Sequence, residues 1–192
     1  MRVVVGISGA SGSIYGLRIL EKLRGFGDVE IHLVMTRAAE RTAWLETSRT
    51  GNDFRVLAHH HYAVEDIGAP LASGSFATNG MVIAPCSIRA MSAIAAGITS
   101  DLLTRAADVS LKEKRRLILM VRESPLHLGH LRSMVALAEM GAVVAPPIPG
   151  FYCKPDNVLD IVDHSVERVL DLLGLPVPNA RRWSGAERGD RQ

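Results

Sequence analysis

A short apolar run from Arg2 to Val5 passes straight into Gly6-Ile-Ser-Gly-Ala-Ser-Gly12, and a helical pattern with Ile14, Leu17 and Leu20 follows at once. That succession restricts the fold more than any other stretch of the chain. A strand, a turn of small residues and an amphipathic helix open a βαβ unit, and the turn then lies at a helix N-terminus with backbone N–H groups pointing outward. Glycine lets the backbone approach a ligand with no Cβ between them, while Ser8 and Ser11 add hydroxyl donors. The spacing Gly6, Gly9, Gly12 is not GxGxxG, no Gly-Lys-Ser/Thr is present, and the second apolar run ends in Met35-Thr36-Arg37 without an acid for a ribose. A dinucleotide is thereby disfavoured and a mononucleotide such as FMN favoured. The same residues also satisfy a plain strand-to-helix turn that needs only small side chains.

Further apolar runs at Ile31–Met35, Met81–Ala84, Leu117–Val121 and Ala142–Ala145 read as buried strands. Between them lie helical patterns: Leu128, Leu131, Val135 and Ala138 stopping at Gly141, and Leu159, Val162, Val166, Val169 and Leu173 stopping at Gly174. The expectation is an α/β fold in three layers, Rossmann-like or flavodoxin-like, whose parallel sheet carries these helices on both faces. At 192 residues one domain suffices, assigned to 1–175, with a polar, proline-bearing tail over 176–192. The stretch from Gly51 to Gly80 shows no clear period. Lys plus Arg is 22 against 20 for Asp plus Glu, so the net charge of +2 argues for neither nucleic acid nor a membrane surface. No apolar run is long enough to span a bilayer, and Cys86 and Cys153 have neither disulfide nor metal spacing, so a reducing, cytoplasmic setting is expected.

Ligands of open α/β sheets sit outside the carboxyl ends of the strands. Those ends are Ser8–Gly12, Thr36, Pro85-Cys86-Ser87, Arg122-Glu123, and Pro146-Pro147 leading to Phe151-Tyr152. Hydroxyls, a cation, a carboxylate and an aromatic thus share one rim. Ser87 begins a further helix, with Ile88, Met91, Ile94 or Ala95, and Ile98 as its apolar stripe, so its hydroxyl serves as a cap, as a ligand contact, or as both. Arg122-Glu123 reads either as an ion pair closing a strand or as phosphate binding joined to proton transfer.

The ordered set GISGASG at 6–12 with Tyr15-Gly16, Leu45-Glu46-Thr47, Ala72-Ser-Gly-Ser-Phe76, Pro85-Cys86-Ser87, Arg105-Ala-Ala-Asp108 with Leu111-Lys112-Glu113, Val121-Arg-Glu-Ser-Pro-Leu126 and Pro149-Gly-Phe-Tyr152 resembles the UbiX/Pad-type flavin prenyltransferases. The resemblance runs from Arg2 to about Trp183. It implies transfer of a dimethylallyl group from dimethylallyl monophosphate to N5 and C6 of reduced FMN, giving prenylated FMN for a UbiD-type decarboxylase. It also implies a homo-oligomer, commonly a dodecamer, with sites shared between subunits. Carried over by position, Gly9, Ala10, Ser11, Thr36, Ser87, Arg105 and Arg122 become FMN contacts. Lys112, Arg122, Tyr152 and Arg168 become the prenyl-phosphate pocket, with Trp183 as a candidate wall. Glu46, Glu123 and Ser11 become the catalytic set.

Ala90 departs from a threonine common in the family, and Asp66 from an aromatic in some members. Arg89 either supplies a charge nearby or, the favoured reading, faces solvent from the helix. No DDxxD motif is present to hold magnesium, which predicts a metal-independent reaction. Consecutive histidines at 59–61 diverge, and no acid or cysteine at suitable sequence spacing completes a ligand set with them. Cys86, beside a helix start, is expected to have a lowered pKa, with packing as its favoured role. Two other functions fit the residues: an FMN-binding, non-catalytic decarboxylase subunit, and a flavin-dependent oxidative decarboxylase on the same fold, for which the usual active-site His pattern is missing.

Overall fold

The computed structural model describes residues 1–178, 180 and 183, so most of the expected 176–192 tail lies outside the described residues. Six strands form one parallel sheet among them: β1 (Arg2–Ile7), β2 (Glu30–Met35), β3 (His60–Tyr62), β4 (Gly80–Cys86), β5 (Arg116–Val121) and β6 (Val143–Val144). Their spatial order is β3-β2-β1-β4-β5-β6. Of the two doubly wound orders this is the Rossmann one, and the direction of winding reverses between β1 and β4.

Side chains alternate across the pleat, so each central strand feeds two cores. Val3, Val5 and Ile7 face a layer that includes Leu17, Leu20 and Leu23 of α1 (Ser13–Arg24), Ala39 and Ala43 of α2 (Arg37–Thr47), and Val162, Val166 and Val169 of α7 (Val158–Leu172). Val4, with Met81, Ile83, Leu117 and Leu119, faces a layer built on α4 (Ile88–Ala95), α5 (Leu102–Lys112) and α6 (Leu128–Glu139). The short α3 (Gly51–Arg55) adds Phe54, fully buried, to the first layer. Each such side chain contributes about 1.5–3 kcal/mol through burial.

Three readings need correction. Ile98 does not continue α4: the helix ends at Ala95, Gly97 takes a left-handed φ of +67°, and Ile98 is left exposed. The apolar stripe Leu128, Leu131, Val135 of α6 faces outward, and it is Leu137 that is buried against the sheet. The stretch 51–80, without a clear period, holds β3, which is three residues long and exposed at two of them.

Candidate active site

Three helix starts converge at the carboxyl ends of β1, β2 and β4. Thr36 caps α2, its Oγ1 accepting from Ala39 N at 3.1 Å, and Ser87 caps α4, its Oγ accepting from Ala90 N at 3.3 Å. Each hydroxyl keeps its own hydrogen for a further acceptor. The cap and ligand readings of Ser87 are therefore compatible. Ser8 is used differently from the expectation. It is buried, and its Oγ donates to Pro85 O at 2.8 Å while accepting from Ser87 N at 2.7 Å. It fastens the turn after β1 to the end of β4 rather than offering a donor to solvent.

The anion expected at the start of α1 is supplied by the chain itself. Glu46, near the end of α2, accepts from Gly12 N at 3.0 Å, Ser13 N at 2.9 Å and Ser13 Oγ at 2.8 Å. Burial pushes its carboxyl up, but hydrogen bonds from Ser11, Ser13 and the Gly12 and Ser13 amides outweigh it and hold the group below the ordinary range. The amides of Gly9, Ala10 and Ser11 have no acceptor among the described residues. A Cβ on Gly9 would come within 2.5 Å of Ala38 Cβ, so only glycine lets the turn pass this close to α2.

A cavity of about 430 Å³ opens at this switch point, lined by Ser8, Gly9, Thr36, Ser87 and Ala90, with Asp101, Leu103 and Thr104 from the start of α5 opposite. Its size suits a small planar ligand. Arg89, exposed to solvent as expected, also lines it, as do Arg37 and Glu65, which pair at 2.8 Å. The start of α5 was not read as part of the site. Its signal is the Asp101 and Thr104 capping box, in which Asp101 Oδ1 accepts from Thr104 N at 2.8 Å.

A second cavity, of about 310 Å³, gathers Tyr152, Arg168 and Trp183 with His164 and Glu167. On α7, residues 164, 167, 168 and 171 share one face. The Tyr152 hydroxyl lies 2.9 Å from His164 Nε2, and its ring meets Trp183 edge to face at 5.8 Å. Burial raises the Tyr152 phenol, the neighbouring Cys153 adds to this, and Arg168 opposes it.

Arg122 and Glu123 follow β5 and are exposed; Glu123 Oε1 accepts from Ser124 N at 3.0 Å. Burial raises the Tyr15 phenol on α1, and the Arg122 charge acts on it in the other direction. Arg105 donates from Nε to Ala72 O at 3.1 Å and from Nη1 to Asp108 at 2.7 Å, and is absent from the cavity lining. Lys112 ends α5 and pairs with Glu113 at 2.5 Å. At about 1.5 Å per residue it stands roughly 12 Å along the helix from Thr104, so one chain does not bring it to its own rim. Cys86 is fully buried, which pushes its thiol up to about 12, the reverse of the expected lowering. Asp66 sits in a turn, accepting from Gly68 N at 3.2 Å.

A Rossmann-ordered sheet with open amides and hydroxyl caps at its switch point defines the nucleotide-binding class of protein, and residues 1–170 match the Flavoprotein family model. The chain is 52% identical over 187 residues to the flavin prenyltransferase UbiX of Escherichia coli K12, covering 96% of this chain and 99% of that protein. Two solved structures superpose with a TM-score of 0.94 each. One is a dodecameric FMN-dependent UbiX-like decarboxylase from Escherichia coli O157:H7, 46% identical over 96% of this chain and all of the other. The second is AnUbiX (PadA1) in complex with FMN and dimethylallyl pyrophosphate, 44% identical over 97% and 98%. The chain belongs to the UbiX flavin prenyltransferase family.

Proposed function

We propose that this chain transfers a dimethylallyl group from dimethylallyl monophosphate to reduced FMN, forming bonds at N5 and C6 and releasing inorganic phosphate. The observation that carries the reading is the pair of cavities, one bordered by open amides and hydroxyl caps and one by a phenol and a guanidinium, in a chain of this family. The unit 1–175 is the flavin-binding domain. Gly9, Ala10, Ser11, Thr36, Ser87 and Arg122 hold the flavin, and Arg105 retains Nη2 for its phosphate. Glu46, ionised at neutral pH, orients Ser11 and the turn.

An allylic C–O bond breaks readily only when the departing phosphate is neutralised and the allyl cation is kept from water. Arg122, Arg168 and the protonated Tyr152 phenol supply that neutralisation. Lys112, placed away from its own chain's rim, acts in the site of a neighbouring copy within a homo-oligomer. When bound, the reduced flavin supplies the electron-rich atoms that are alkylated. Glu123, open to solvent, accepts the proton lost as the C6 bond forms. The product passes to a UbiD-type decarboxylase in the cytoplasm; no helix among the described residues is long and apolar enough to cross a membrane.

Anaerobic incubation with reduced FMN and the mono- or diphosphate donor, after chelation of divalent metal, tests this by mass spectrometry of the released flavin. The expected result is the gain of one five-carbon unit with the monophosphate and its loss or slowing by about 10²-fold or more in Glu123→Gln. Binding of FMN without a change in mass from either donor would leave a flavin carrier instead.

A further inference from the structure

Two of the three histidines at 59–61 diverge, as consecutive side chains do. His59 turns back, its Nδ1 accepting from Ile31 N at 3.0 Å, and His61 is exposed. His60 does something that sequence spacing conceals. In the parallel pairing of β2 and β3 it stands directly opposite His32, and Glu30 lies two residues before His32 on the same face. His60 Nε2 is 3.0 Å and His32 Nε2 is 3.2 Å from the same oxygen, Glu30 Oε1. The donor atoms of all three lie within 4.8 Å of one another.

His32 is 1% exposed, and its Nε2 has no hydrogen-bond partner among the described residues despite lying so near the carboxylate. Its other nitrogen, Nδ1, lies 2.9 Å from the Tyr62 hydroxyl. With Nδ1–H donating to that oxygen, the Nε2 lone pair is left directed at the cluster, the arrangement that second-shell groups impose on metal-binding histidines. Phe76 packs edge-on against the His32 ring at 5.3 Å, and the His60 ring lies parallel to it at 4.9 Å, so both imidazoles are held in orientation. Arg2 Nε donates to the other carboxylate oxygen, Oε2, at 3.1 Å and leaves Oε1 to the histidines.

We propose that Glu30, His32 and His60 form a binding site for a divalent transition-metal ion, zinc by preference. Zinc bonds to imidazole nitrogen and carboxylate oxygen of about 2.0–2.2 Å place tetrahedral ligands about 3.3 Å apart, close to the 3.0 and 3.2 Å separations here. Two imidazoles and one carboxylate are a zinc donor set with a fourth position for water. The site is reached from solvent on the His60 and Glu30 side, which remain partly exposed. It lies at the starting ends of β2 and β3, at the opposite end of the strands from the cavity after β1, β2 and β4. Its role is therefore separate from prenyl transfer: the ion ties the three-residue β3 to β2.

The test is calorimetric titration of zinc chloride into untagged, chelator-treated protein, with melting curves taken with and without zinc. We expect one zinc ion per chain and a higher melting temperature. His60→Ala and Glu30→Gln should each weaken the affinity at least tenfold and abolish the thermal shift, whereas His127→Ala, at the stacked His127 and His130 pair elsewhere, should leave both intact. Cobalt should give the visible bands of a tetrahedral ion in the parent and lose them in His60→Ala. Absence of saturable binding by the parent, or binding unchanged in both His60→Ala and Glu30→Gln, overturns the proposal.

Discussion

Cys86 closes β4 one residue before a helix N-cap, a position that ordinarily activates a thiol. Its side chain is wholly buried in the cluster that holds Met91 and Leu119, and desolvation of the thiolate pushes the thiol up. In native protein a colourimetric disulfide reagent should therefore react rapidly with one thiol, that of Cys153, and reach Cys86 only after unfolding. Two equivalents consumed at once under native conditions would contradict this burial. Glu46 shows the same dependence on three-dimensional neighbours. Nothing in Leu45-Glu-Thr47 indicates that the carboxylate crosses to Gly12, a residue 34 positions away, because local patterns carry no information about which distant amide a side chain meets. Ser87 is legible as a cap for the opposite reason: a cap acts within three residues, and its hydroxyl is visible at the end of an apolar run, whereas the matching cap by Thr36 is found only in the structure.

At the scale of elements, the four strands buried on both faces were readable from continuous apolar runs. β3 was not, since a three-residue strand of two histidines and a tyrosine is too short to show a period and too polar to stand out. The α6 stripe misled in another way: periodicity identifies an apolar face without saying what that face meets. Helices α1 and α7, correctly read, are joined by a charged cluster over their apolar contact. Asp163 accepts from Arg18 Nε at 2.8 Å and Nη2 at 2.7 Å, and Lys22 lies 3.6 Å away. Burial raises the Asp163 carboxyl, but the Arg18 hydrogen bonds and the Lys22 and Arg18 charges prevail and hold it below 3.8. A group lowered in the folded state adds stability above its unfolded value and loses it as pH falls through the folded one. Asp163→Asn should accordingly cost about 1 kcal/mol in urea unfolding at neutral pH. That difference should shrink steadily as the pH is taken below 3.8, the ordinary value for this group.

For the molecule as a whole, Leu128, Leu131 and Val135 are 59%, 45% and 57% exposed in a single chain, a solvent-facing stripe left uncovered by the described residues. If another copy covers it, this stripe is where the contact should form. Light scattering should report a large closed assembly for the parent, and Leu131→Asp should lower its mass while leaving the circular dichroism of the chain intact. An unchanged mass would place the contact elsewhere.

The lengths of the outermost strands have a consequence for how copies can meet. β3 has three residues and β6 two, while the strands between them have six or seven. Each flank of the sheet thus offers too few unpaired N–H and C=O groups to template an added strand. Any contact between copies should therefore form through side chains rather than by hydrogen-bonded extension of the sheet.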